Sequence, residues 1–374
     1  MSAVSANQSA NQSVKAGTGR RAHTRVDVAV LGAGIVGCLT AREIVRRSPA
    51  ASVMLIDRDA VGGGASLRSA GLHTPRGTTA RVRRMTRYSQ HFYAELRRAR
   101  PGLPIHPVPM TVVGPRDGQP LAGTYLTESG PVPTRELPEG VRLPDGTAAW
   151  EISGCHYAVV PTVAQAVVAD LGTDADVREA VRVHSLDVTA DDVRLRLGTG
   201  ETVTAGRVVL APGPWLSAAP WAGLVAPLGA RVKKVVALHI RRRPVPGDRA
   251  VLFQQEDAFL LPLPGRGHWL FSYTCPEWDA DPDSPVTGLT AKNLVEAKEI
   301  LRRYAPGMAD ACASGRVFCD AYSGTGEPVV RPLDEGGRVV FAGAANGSGY
   351  RLAPAIAAEA ADLLQLGRVP QWLG

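Results

Sequence analysis

An α/β fold with a Rossmann-like parallel sheet is what the sequence predicts, on three observations. The run VDVAVLGAGIVGCLTAREI, residues 26–44, passes from apolar to glycine-rich to amphipathic, the order of strand, tight turn and helix. A second apolar stretch ends at a carboxylate in VMLIDRD, residues 53–59. A third, RVVFAGAANGSGYRLAPAIAAEAADLL, brings back strand, glycine-rich turn and helix near the end of the chain.

With 374 residues, 45% of them hydrophobic, the chain is long enough for about two domains. No apolar run approaches the roughly 18 residues of a membrane span. The opening MSAVSANQSANQSVKAGTGRRAHTR has almost no large apolar side chains, so residues 1–24 read as a disordered tail and not as a leader. Five scattered cysteines without a CxxC fit a reducing cytoplasm and speak against disulfides or a metal site. The net charge of +7 raises nucleic acid as a partner. Only five of the 42 basic residues are lysines, and no aromatic-studded basic strand accompanies them, so solvated arginines are the better reading.

In chain order, strands are expected at 27–31, 52–56, 193–197, 207–210, 232–240, 259–263, 269–272 and 338–341. Helices are expected at 35–47, 80–98, 163–171, 291–304 and 354–366. In the second helix Met85, Tyr88, Phe92 and Leu96 share one face. The last has Pro354 in its first turn and Gly367 past its end. Between about 100 and 153 the chain is rich in Pro and Gly, which predicts loops and short strands of a second domain.

Gly32, Gly34 and Gly37 complete GxGxxG between a strand and a helix. The first permits the sharp turn, the second lets a pyrophosphate approach the backbone, and the third lets helix pack on strand. Phosphates would then sit at the positive end of the helix. Asp57, 20 residues after Gly37, is placed to accept both ribose hydroxyls, which disfavours a 2′-phosphate although Arg58 follows. A nicotinamide cofactor would need little more. The strand ending in Pro212, Gly213, Pro214 and Trp215, and the late glycine-rich turn, suit a longer cofactor lying extended, as FAD does.

These motifs, with GGGASLRSAGLH (62–73), VVLAPGPW (208–215) and AGAANGSGYRLAP (342–354), resemble in order and spacing the FAD-dependent family of D-amino acid oxidase, glycine oxidase and monomeric sarcosine oxidase. The resemblance spans roughly 26–366. It implies an FAD-binding domain from 25–79, 154–222 and 317–368, and a substrate domain on a mixed β-sheet from 80–153 and 223–316. Gly64, Ala65, Ser66 and Arg68 are implied near the pyrophosphate and flavin. Gly343, Gly347, Ser348, Gly349 and Tyr350 are implied along the ribityl chain and the pyrimidine edge.

The implied activity is oxidation of the C–N bond of an amino acid or secondary amine, with hydride passing to flavin N5 and an imine as product. Oxygen or another acceptor would complete the cycle. Arg351 matches the position of a carboxylate-binding lysine in sarcosine oxidases; an arginine reaching to solvent is the competing reading. Tyr322 stands where glycine oxidase places its carboxylate arginine, with ordinary core as the competing reading; His73 is expected near the substrate side of the flavin, with a structural histidine as the competing reading. Trp269 is expected where a lysine promotes reaction with oxygen, which implies slow reaction with oxygen and another acceptor. Cys319 is one residue from the position of covalent flavin attachment, which Asp320 fills, so a non-covalent flavin is expected. A flavin-dependent dehydrogenase or tailoring oxidase on a larger amine, an NAD-linked dehydrogenase, and a non-catalytic binding protein stay open as alternatives.

Overall fold

The computed structural model describes residues 23–118, 121, 123–284 and 288–364; the expected N-terminal tail and the Gly367 cap lie outside them, apart from His23 and Thr24. The first sheet is built on parallel strands. His23–Leu31 lies between Thr202–Leu210 and Val53–Ile56, with Ala175–Arg178 beyond the latter and Val339–Gly343 on the far side of Thr202–Leu210. Val53–Ile56 and Val339–Gly343 are buried at every position, as strands covered on both faces must be. The antiparallel strands Val183–Val188 and Val193–Leu197, and the hairpin partner Val329–Pro332, extend this sheet.

Ile35–Arg47 packs on the C-terminal helix Gly349–Leu363, which in turn packs on Ala80–Ala99. Buried Glu43 accepts from Arg46 and Arg47, and Arg47 reaches Asp362 at 2.7 Å, tying the first helix to the last. The last helix starts at Gly349, so Pro354 is interior and not in the first turn. The register that Pro354 leaves without a donor ends at the Tyr350 carbonyl, and there the Tyr93 hydroxyl donates at 2.6 Å.

The second sheet has eight strands in the order Cys312–Tyr322, Arg231–Ile240, His268–Tyr273, Ala258–Leu263, Ala250–Phe253, Met110–Pro115, Thr147–Ile152 and Val132–Thr134. It is mixed: the Ala250–Phe253 and Met110–Pro115 pair is parallel, its neighbours antiparallel. Residues 317–322, grouped with the cofactor part on sequence, pair here along Arg231–Val236. Ala291–Tyr304, whose Thr290 and Asn293 form a capping box, covers one face of this sheet. The other face turns toward the ends of the parallel strands, and the space between is the site.

Candidate active site

At the first turn Gly32 has φ +105°, and a Cβ there would stand 2.2 Å from the Ala211 carbonyl oxygen. A Cβ on Gly37 would meet the Gly32 carbonyl oxygen at 1.8 Å, so both positions exclude side chains. Asp57 closes the turn from below: its carboxylate accepts from the Ala33 N–H at 2.5 Å and the Asp59 N–H at 2.7 Å. Burial nonetheless raises its pKa above the usual carboxylate range. Ser66 accepts from the Ile35 N–H at 3.0 Å across the helix start. Arg58 stacks over the Trp215 ring at 4.8 Å and pairs with Asp283 at 2.6 and 3.0 Å, while the Trp215 indole N–H donates to the same carboxylate at 2.9 Å.

The second turn, 344–347, is strained: Ala344 (φ +48°), Asn346 (+54°) and Gly347 (+73°) are all left-handed. The Asn346 amide holds it, accepting from the Ser323 N–H and donating to the Ala344 carbonyl, both at 3.1 Å. Both turns line one cavity of about 710 Å3 that runs to the second sheet. Gly32, Gly34, Asp57, Arg58, Gly64, Ala65, Ser66, Pro212, Gly213, Trp215, Gly343, Gly347, Ser348, Gly349 and Tyr350 border it. A glycine cradle with no room for Cβ, continued by a second turn across a long cavity, fits an extended dinucleotide.

At the far end the cavity is charged. The Arg351 guanidinium donates to the Ser348 hydroxyl at 2.7 Å and to the Arg76 carbonyl. Burial first, then Arg76, pushes its pKa down to about 9, so it stays charged at neutral pH. Among the described residues no carboxylate pairs with it. Arg76 pairs instead with Asp257 at 3.1 Å, and Asp257 accepts from Thr274 at 2.8 Å. Tyr322 also faces the cavity, its phenol held protonated by burial and by nearby Asp320. Asp320 lines the site too, and Lys233 and Asp257 are site-lining charges that sequence reasoning missed.

Three expected residues are placed elsewhere. His73 does not border the cavity: its neighbours Leu72 and Thr74 do, and strand alternation turns it into the interior. There it stacks on His156, centroids 4.6 Å apart, and burial holds its pKa well below the ordinary histidine value. Trp269, 1% exposed, lies among Phe271, Ala297 and Leu301 on the opposite face of the second sheet. The ground for expecting slow reaction with oxygen goes with it. Arg68 is exposed outside the cavity and offers only its carbonyl to Arg316. Gly37 is behind the turn, where it packs helix on strand as its place in the motif implies. Cys319 is buried on the far side of its strand, while Phe318, Asp320 and Tyr322 border the cavity.

A strand–turn–helix cradle, a second turn and a charged chamber at the end of one cavity define a dinucleotide-dependent enzyme of the α/β class. Residues 27–363 match the model of the DAO family, FAD dependent oxidoreductases. The chain belongs to that family, and it is an FAD-dependent oxidoreductase. No curated protein matches the sequence. Among solved structures, L-proline dehydrogenase from P. horikoshii is similar at TM-score 0.78 and 16% identity, over 92% of this chain and 95% of that one. Glycine oxidase from Geobacillus kaustophilus has TM-score 0.75 and 18% identity, over 92% and 96%. L-amino acid deaminase from Proteus vulgaris has TM-score 0.71 and 18% identity, over 93% and 92%. These likenesses establish the fold.

Proposed function

We propose that the enzyme oxidises the C–N bond of an amino acid or a carboxylate-bearing secondary amine. The observation that carries this reading is Arg351: a half-buried, charged fork that borders the cavity and makes no ion pair among the described residues. A planar guanidinium of that kind matches the two oxygens of a substrate carboxylate. Ser348 and the Arg76 carbonyl fix its plane, and Asp257 keeps Arg76 from competing for the same anion. The Tyr322 hydroxyl, protonated at neutral pH, is a donor at the same end. FAD, which the Gly32–Gly34 turn and the 344–347 turn would hold, would supply the hydride acceptor, and the oxidised substrate would leave as an imine that water hydrolyses. The protein's share is orientation and exclusion of water. The names of the similar structures, a proline dehydrogenase, a glycine oxidase and an amino acid deaminase, support a substrate of this kind.

The test is anaerobic bleaching of the flavin by a panel of amines and amino acids, repeated with Arg351→Met. Losing a charge-assisted pair of hydrogen bonds should lower kcat/KM for the best carboxylate substrate by about 10- to 100-fold, with flavin content unchanged. Unchanged kinetics would remove Arg351 from the site, and a flavin that no amine bleaches would remove the reaction.

A further inference from the structure

We propose that the substrate carries a second anionic group, in the simplest case a second carboxylate, which Lys233 binds while Arg351 holds the first. This rests on the amine-oxidising reading above and narrows it to amino dicarboxylates and their N-substituted relatives.

The charges at this end of the cavity are Arg76, Arg351, Lys233, Lys234, Asp257 and Asp320. Asp257 is engaged by Arg76 and Thr274. Lys234 pairs with Glu277 at 3.2 Å. Asp320, opposite Lys233 in strand register, accepts from the backbone N–H groups of Ala321 and Gly347, and burial raises its pKa to about 6. Two cations, Arg351 and Lys233, make no ion pair among the described residues; Asp257 attracts both through space but is paired with Arg76.

Lys233 is 7% exposed, on a strand whose neighbours Val235 and Ala237 border the same cavity. Its ammonium lies 4.7 Å from the Trp278 ring centroid and 5.3 Å from that of Tyr322. Those rings favour a cation but offer no lone pairs matched to its three N–H donors. Trp278 also carries the Arg231 guanidinium at 5.0 Å, itself neutralised by Asp279 at 2.6 Å. A buried ammonium costs free energy unless an anion meets it. The rings fix where it points, and the cavity is where the anion must come from.

The flavin spectrum of the holoenzyme reports binding of unreactive acids matched in carbon number: propionate against malonate, butyrate against succinate, pentanoate against glutarate. At one chain length the diacid should bind at least about tenfold tighter, and that length reads the spacing of the two cations. Lys233→Met should remove the gap while monoacid binding stays within about twofold, Lys233→Arg should restore it, and Arg351→Met should weaken both acids. Equal binding of matched acids by the unaltered protein overturns the proposal and needs no variant. So does a Lys233→Met enzyme that keeps the gap and changes only its reaction with oxygen. A diacid preference without bleaching by any amine would sink the amine reading alone; bleaching without the preference would sink this one alone.

Discussion

The Tyr93 hydroxyl donates to the backbone carbonyl of Tyr350, the acceptor that Pro354 leaves without its helical N–H. One side chain from Ala80–Ala99 thereby completes the first turn of the helix that carries Tyr350 and Arg351. Tyr93→Phe should cost about 1–3 kcal/mol, since it leaves a buried carbonyl unpaired. Urea unfolding of the flavin-free protein measures this, and a loss below about 0.5 kcal/mol would mean that another donor replaces the phenol.

Asp57 should set cofactor affinity. Its carboxylate already holds the Ala33 and Asp59 N–H groups and stands at the cavity where ribose hydroxyls would donate. Asp57→Ala should weaken FAD binding by about 10- to 100-fold, read by quenching of flavin fluorescence on titrating the apoprotein. Unaltered affinity would put the ribose elsewhere.

Stability should fall in mild acid because of the stacked pair His73 and His156. Burial holds His73 well below the ordinary value and His156 down to about 3. Between the unfolded value near 6.5 and those depressed values the unfolded chain binds more protons, so stability is fully present above about pH 6.5 and lost as pH falls. Each histidine contributes up to about 1.4 kcal/mol per pH unit in that window. Denaturant midpoints at pH 7.5 and 5.5 measure the slope, and His156→Phe should reduce it.

Cys319 should carry no flavin. It faces away from the cavity that Asp320 borders. Acid precipitation should leave the yellow colour in the supernatant, and Cys319→Ser should retain full flavin content; colour in the pellet lost by that variant would contradict this geometry.

The cofactor half was legible where pattern and chemistry agreed. Ile35–Arg47 and Ala291–Tyr304 have the expected bounds because an apolar stripe marks both, with the glycine turn before the first and the Thr290 capping box before the second. Cys312–Tyr322 was missed because its cavity-facing positions include Phe318, Asp320 and Tyr322 and it also carries Arg316, so CASGRVFCDAY shows no apolar alternation. A strand that serves a ligand loses the signature of one that serves a core. The start of the last helix was misread because Pro354 looks like a first-turn proline until Tyr93 supplies the missing donor. Trp269 and His73 were misplaced because one residue of register decides the face of a strand. Lys233 had an available signal: two of the chain's five lysines stand together in the apolar strand VKKVVALHI.

The orientation of Cys319 also bears on how the protein survives in a cell. A flavin held by contacts alone would obey mass action, and the folded population would follow cofactor supply: at a hundred times the dissociation constant the gain would be about 2.7 kcal/mol, vanishing under vitamin starvation. The steady-state amount of this chain would then rise and fall with riboflavin, through degradation of the empty form and with no change in its synthesis.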